Sequence, residues 1–230
     1  MAIPVRIVCI PSADAAFAAD AQRVAARIPE AMSAPDALRW FTLMLRRDYP
    51  RAVVREQVDL ARTDDGPPTW YVTRGALHFR IDTSIWVPLA PTEAYRAYVE
   101  RVVDWQVAVE LTPLRLAPGT VGTEYRAVYP FLGVRYEGVL RILGAEPGRV
   151  VRVEAEGSGI TVWYAATFGE ERGGALVHVQ GDYELPDTLI ARVADRLGLE
   201  RAIGRDVDRA NASFRRLCGR IAAARMTPAS

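Results

Sequence analysis

The stretch IWVPLAPTEAYRAYVERVVDWQ, residues 85–106, decides how the rest of the chain is read. A strand-like run stops at Pro88, a helical pattern starts after Pro91, and an Asp104-Trp105 pair ends it. Just upstream, LHFRIDTSIWV (77–87) alternates. Leu77, Phe79, Ile81, Thr83, Ile85 and Val87 share one face, and His78, Arg80, Asp82, Ser84 and Trp86 share the other. That is the period of a half-buried antiparallel strand. Pro91 suits a first helical turn, where its missing N–H is no loss, and Ala94, Tyr95, Tyr98 and Val102 form the inner stripe of one helix running to Trp105.

Downstream, LTPLRLAPG (111–119) reads as a connection, followed by five strand-like runs. They are TEYRAVY (123–129), VRYEGVLRIL (134–143), RVVRVEAE (149–156), ITVWYAATF (160–168) and ALVHVQGDYEL (175–185). Short joints rich in Gly, Pro and Glu separate them, as in an antiparallel meander of hairpins. Pro186 ends the last strand. In ERAIGRDVDRANASFRRLCGRIAAAR (200–225), Ile203, Val207, Ala210, Phe214, Leu217 and Ile221 step by four and three, the stripe of a long amphipathic helix. Gly198 and Gly204 weaken its earlier part, so DTLIARVADRL (187–197) is expected as a separate or kinked helix.

Residues 1–74 read as a small unit of their own, in the order β-α-α-β-β. VRIVCI, AVVREQV and TWYVTR are its strands, and ARTDDGPP (61–68) is a polar loop. Ser12 and Asp14 offer N-cap chemistry before a stripe of Phe17, Ala21, Val24 and Ile28. A second helix follows Ser33, with Leu38, Phe41 and Leu45 on one side. Met44, Trp40 and Phe41 either form that unit's core or give it an apolar surface.

Composition narrows the function classes. Half of the 230 residues are hydrophobic, a quarter are charged, and the net charge is +1 with both signs interspersed. With no polybasic block, no nucleic-acid partner and no membrane-surface partner are expected. Nothing resembles a signal-peptide core or approaches the roughly 18 apolar residues of a membrane span, so a cytoplasmic protein is expected. Cys9 and Cys218 stand far apart and make no disulfide framework. All 29 basic residues are arginine, which excludes a Schiff-base lysine, a lysine general base and a Walker-A phosphate loop. Two histidines and two distant cysteines give no metal-ligand spacing, and no Gly-x-Gly-x-x-Gly opens a helix after a strand, so neither metal nor cofactor is expected.

Strand, two short helices, antiparallel strands and a long last helix resemble the START-like (SRPBCC) superfamily, and within it the polyketide cyclase/dehydrase group. The likeness spans about residues 77–224. It is carried by the alternating first strand into APTEAYRAYVERVVDW, by GTEYRAVY (122–129) and by VQGDYELP (179–186). The resemblance implies an α+β helix-grip fold in residues 76–230, a curved antiparallel sheet wrapped around the long C-terminal helix, preceded by the small β-α-α-β-β unit. It also implies an elongated apolar cavity between sheet and helix, with Trp105 at its lip.

Strand parity then selects the lining. Tyr125, Ala127 and Tyr129 share a face; so do Tyr136, Gly138, Leu140 and Ile142, and so do Val162, Tyr164, Ala166 and Phe168. With these faces inward, Trp105, Tyr125, Tyr129, Tyr136, Leu140, Tyr164, Phe168 and Phe214 are the candidate ligand-binding residues, suited to a small hydrophobic or aromatic molecule. The alternatives are that the tyrosines sit at the sheet rim, that Trp105 only packs, or that Phe168, Phe214 and Tyr164 plug the space and leave an interaction module. A cyclase-like enzyme would need a charged pair in the cavity. Arg126, Arg135, Arg141, Glu124 and Glu137 fall on outward faces, and Glu154 and Glu156 read as solvated charge.

Antiparallel pairing of the first and last strands, which the resemblance implies, puts Ser84 near His178 and Asp82 near Gln180. A hydrolase reading is rejected, because that face is polar and outer and no nucleophile elbow is present. Trp86 on the same face is too large to leave in water, so the N-terminal unit, or a second subunit in a homodimer, is expected to cover it.

Overall fold

The computed structural model describes residues 5–10, 14–56, 68–74, 77–107, 110–117, 120–131, 134–185 and 196–226. The chain divides into two compact units, Met1–Val58 with Thr63–His78, and Asp59–Arg62 with Phe79–Ser230. The expected Ser12 cap, the loop residues 61–67 and most of the separate or kinked helix expected over residues 187–197 lie outside the described residues.

In the first unit, β1 (Arg6–Ile10), β2 (Val53–Glu56) and β3 (Thr69–Thr73) form a sheet in the order β1-β3-β2. Strand β1 runs parallel to β3, and β2 antiparallel to it. Helix α1 (Ala15–Ala25) starts where the Asp14 carboxylate accepts the Phe17 N–H at 3.1 Å. Helix α2 (Ala34–Asp48) starts where Ser33 Oγ accepts the Asp36 N–H at 3.3 Å, with Pro35 in its first turn. Phe17, Phe41, Leu45 and Trp70 are buried together and Trp40 packs against them, so the aromatic residues of α2 serve the unit's own core.

The second unit is the helix-grip arrangement. Its strands are β4 (Leu77–Val87), β5 (Glu110–Arg115), β6 (Glu124–Phe131), β7 (Val134–Glu146), β8 (Val150–Gly157), β9 (Ile160–Glu171) and β10 (Gly174–Leu185). They form one seven-stranded sheet in the order β4-β10-β9-β8-β7-β6-β5, antiparallel from β10 through to β5. Residues 85–106 therefore carry the chain away from one edge strand, β4, before it rejoins the sheet at the opposite edge, β5. The two-residue turns Ser158-Gly159 and Arg172-Gly173 have positive φ at both positions, the type I′ geometry that matches strand twist.

Several expectations need correction here. The single helix expected over residues 90–105 is two, α3 (Pro91–Glu100) and α4 (Val102–Trp105), because Arg101 leaves the helical region at φ −117° and ψ 31°. The connection expected at residues 111–119 contains β5. Pro113 hid it, but a residue without an N–H donor is tolerated in an edge strand. The C-terminal helix α5 (Arg196–Met226) runs unbroken through Gly198 and Gly204.

In the single chain Trp86 is 40% exposed, and its Nε1–H donates to the Glu171 carbonyl at 2.9 Å. Gly174 makes room for it, since a Cβ there would fall 2.8 Å from the indole. Glu154 is on the outer face as expected but is not solvated; it is 0% exposed, with Arg141 Nη1 at 3.5 Å.

The core of this unit lies between the sheet and α3, α4 and α5. It includes Ile85, Val87, Tyr98, Trp105, Tyr125, Leu140, Val153, Phe168, Phe214 and Cys218. Asn211 Nδ2 of α5 donates to Thr83 Oγ1 of β4 at 3.3 Å, and Arg225 near the end of α5 pairs with Glu93 of α3.

Candidate functional site

A cavity of about 160 Å³ opens between the sheet and α5. Six strands contribute to its lining, all but β5, together with α3, α4 and α5. Alternation along each strand is the reason: a twisted sheet has one concave face, and every second side chain points into it. Ile81, Ala127, Leu140, Val162, Val179 and Val207 make its apolar walls. At Gly138 and Gly157, which also line it, β7 and β8 approach so closely that a Cβ on Gly138 would lie 2.6 Å from the Glu156 carbonyl oxygen.

One part of the wall is polar. Tyr98, Gln106 and Tyr164 all contribute to it, and Gln106 Oε1 accepts the Val107 N–H at 3.1 Å. Burial pushes the hydroxyls of Tyr98, Tyr129, Tyr164 and Tyr183 well above the ordinary tyrosine value, because a phenolate is costly away from water. The Asp206 carboxylate raises Tyr183 further. Asp206 and Arg209 of α5 form an ion pair at the cavity rim, where the Arg209 side chain is 62% exposed.

Of the expected residues, Trp105, Tyr129, Tyr136, Leu140 and Tyr164 line the cavity. Tyr125, Phe168 and Phe214 do not; they are buried in the surrounding core. Phe168 and Phe214 meet the Tyr98 ring edge-on at 5.5 and 5.1 Å, and so support the wall instead of forming it. Trp105 both packs and lines: it is 3% exposed, and its Nε1–H donates to the Tyr98 carbonyl at 3.0 Å.

The sequence reading missed Tyr98, Gln106, Tyr183 and the α5 residues Val207, Ala210 and Asn211 as lining. The signal for four of them was present, since Tyr98 lies on the inner stripe of its helix, Val207 and Ala210 lie on the stripe of α5, and Tyr183 shares parity with Val177 and Val179.

A START superfamily protein from Mycobacterium smegmatis superposes over 63% of this chain and 99% of its own, with a TM-score of 0.52 at 8% identity. The second unit has a START-like fold. A protein from Thermus thermophilus covers 65% of this chain and 100% of its own (17% identity, TM-score 0.48). Ara h 8.0201 covers 62% and 98% (10% identity, TM-score 0.48). No protein-family model matches the sequence, and no curated protein does.

The START-like sheet carries a second polar group on its outer face. Ser84 Oγ lies 2.9 Å from His178 Nδ1, and Asp82 Oδ1 lies 3.7 Å from His178 Nε2. The longer distance is outside hydrogen-bonding range, and Asp82 is already bonded to Arg80 Nη2 at 2.5 Å. None of the three lines the cavity. Among the described residues, no group of three or more His, Cys, Asp and Glu is placed to hold a metal, and no helix is long and apolar enough to cross a membrane.

Proposed function

We propose that the START-like unit binds a small apolar or aromatic molecule in the cavity between the sheet and α5. The observation that carries this reading is an apolar-walled space with a cluster of buried tyrosine hydroxyls in one part of its wall. Hydrophobic walls supply affinity, and a few polar groups supply orientation. At about 160 Å³ the space compares with the ~150 Å³ apolar cavity known to take up benzene. It is well below the roughly 300–1,000 Å³ of pockets for drug-sized ligands. The ligand is therefore of single-ring size. The position of Phe168 and Phe214 behind the lining favours this over a plugged interaction module. The charged residues of the lining are each paired, Asp206 with Arg209, Glu137 with Arg126 and Glu156 with Arg141, so the reading is binding and not cyclisation.

Native mass spectrometry of the purified protein, followed by solvent extraction, tests this. A discrete co-purifying molecule of single-ring size is the expected result. An apo mass, with no thermal stabilisation by a panel of single-ring aromatics, would remove the reading.

A further inference from the structure

We propose that Asn211 selects the ligand, and that the ligand is a neutral single ring carrying a hydroxyl, a phenol in the simplest case, whose proton Asn211 Oδ1 accepts. This rests on the binding reading above. Asn211 lines the cavity from α5, and its Nδ2 donates to Thr83 Oγ1 of β4 at 3.3 Å. That bond engages the donor side of the amide and fixes its plane. The larger capacity left over is Oδ1, a carbonyl oxygen with two lone pairs. Among the described residues Asn211 Oδ1 has no hydrogen-bond partner. An acceptor held at an apolar wall costs free energy until a donor reaches it.

The pattern of both elements supports this. Asn211 stands in the inner stripe of α5, four residues after Val207 and three before Phe214, where packing alone favours an apolar side chain. Asn is also a poor residue for a helix interior, because its amide competes for backbone partners. Thr83 shares the inward face of β4 with Ile81 and Ile85, both buried in the core. Two residues that interrupt the apolar pattern of their own elements therefore meet each other beside the space. The guest is neutral, because Glu137, Glu156, Asp206 and Arg209 of the lining already have ionic partners. A charge brought inside would be taken out of water without one.

Calorimetric binding of phenol, anisole and toluene to the full chain tests the role of Asn211. The three rings are close in size; phenol donates, anisole only accepts, and toluene does neither. Asn211→Leu keeps the bulk of the side chain without the amide. It should weaken phenol roughly tenfold relative to toluene, the worth of one good buried hydrogen bond, and leave anisole and toluene as in the wild type. Thr83→Val frees the amide to turn and should lower the phenol-to-toluene ratio by a smaller factor, whereas a purely structural role for Thr83 would move all three compounds together. This variant also serves if Asn211→Leu folds poorly. An unchanged phenol-to-toluene ratio in both variants, or a loss that falls on anisole instead of phenol, overturns the proposal and leaves the cavity reading intact. Failure of all three compounds to bind the wild type removes both.

Discussion

The Trp105 indole N–H donates to the backbone carbonyl of Tyr98 at 3.0 Å, and the two rings lie 4.4 Å apart. The bond spans the break at Arg101, so it fixes α4 against α3 where the helix itself does not continue. Both residues also line the cavity, which makes this contact a hinge between stability and binding. Trp105→Ala should cost about 3–5 kcal/mol, as for other large buried aromatic truncations, and Trp105→Phe about 1–2 kcal/mol for the bond and the lost ring. Urea denaturation measures both. A loss under ~1 kcal/mol for the alanine variant would show that α4 does not depend on this contact.

Alkaline pH should unfold the protein through its tyrosines. Tyr98, Tyr129, Tyr164 and Tyr183 have raised values in the folded state, against an ordinary value near 10 when unfolded. Between those two values the native state holds more protons than the unfolded one. Stability contributed by these groups is therefore complete below about pH 10 and falls as pH rises above it, by up to ~1.4 kcal/mol per pH unit for each group. Thermal unfolding between neutral and strongly alkaline pH should show a flat region and then a steep decline, with tyrosinate absorbance from these residues appearing only on unfolding. Ordinary titration of all nine tyrosines in the folded protein would contradict it.

Arg141 is the cation of a partly buried cluster, 3.4 Å from Glu124, 3.5 Å from Glu154 and 3.2 Å from Glu156. Glu154 is wholly buried, so removing Arg141 takes away an ionic partner from a charge that water does not reach. Arg141→Met should destabilise by about 3 kcal/mol, and the double variant with Glu154→Gln by less, because the neutral amide no longer needs the cation. Denaturant midpoints of the two single variants and the double variant give the coupling directly. A fully additive cycle would mean that the two side chains do not interact.

Gly138 allows β7 to approach β8 where the two strands line the cavity. A methyl there meets the Glu156 carbonyl oxygen at 2.6 Å, and backbone, unlike a flexible side-chain tip, cannot easily move. Gly138→Ala should cost about 2 kcal/mol or more and disturb the cavity as well. Thermal unfolding reads the first effect and ligand affinity the second. Wild-type stability in this variant would show that β7 and β8 can separate at that point.

What the sequence made legible was periodic. Alternation along β4, β6, β7 and β9 assigned the inward faces correctly, and the Ile203–Ile221 stripe located α5. What it left obscure depends on position along an element or on neighbours far away in sequence. Parity puts Tyr164 and Phe168 on one face of β9, but it cannot say that Tyr164 stands at the cavity and Phe168 among packed rings. Pro113 reads as a breaker until β5 is known to be an edge strand. Glu154 reads as a surface charge because its burial comes from tertiary packing.

The central claim is that the space between the sheet and α5 takes up a single-ring molecule, and thermal unfolding with and without toluene tests it most directly. Ala210 of α5 lines the space, so Ala210→Phe should fill it without adding charge. Wild-type protein should be stabilised by toluene, by about 2.7 kcal/mol at a hundredfold excess over Kd, and Ala210→Phe should not respond. A wild type that gains nothing, or a variant that gains as much, would contradict the account.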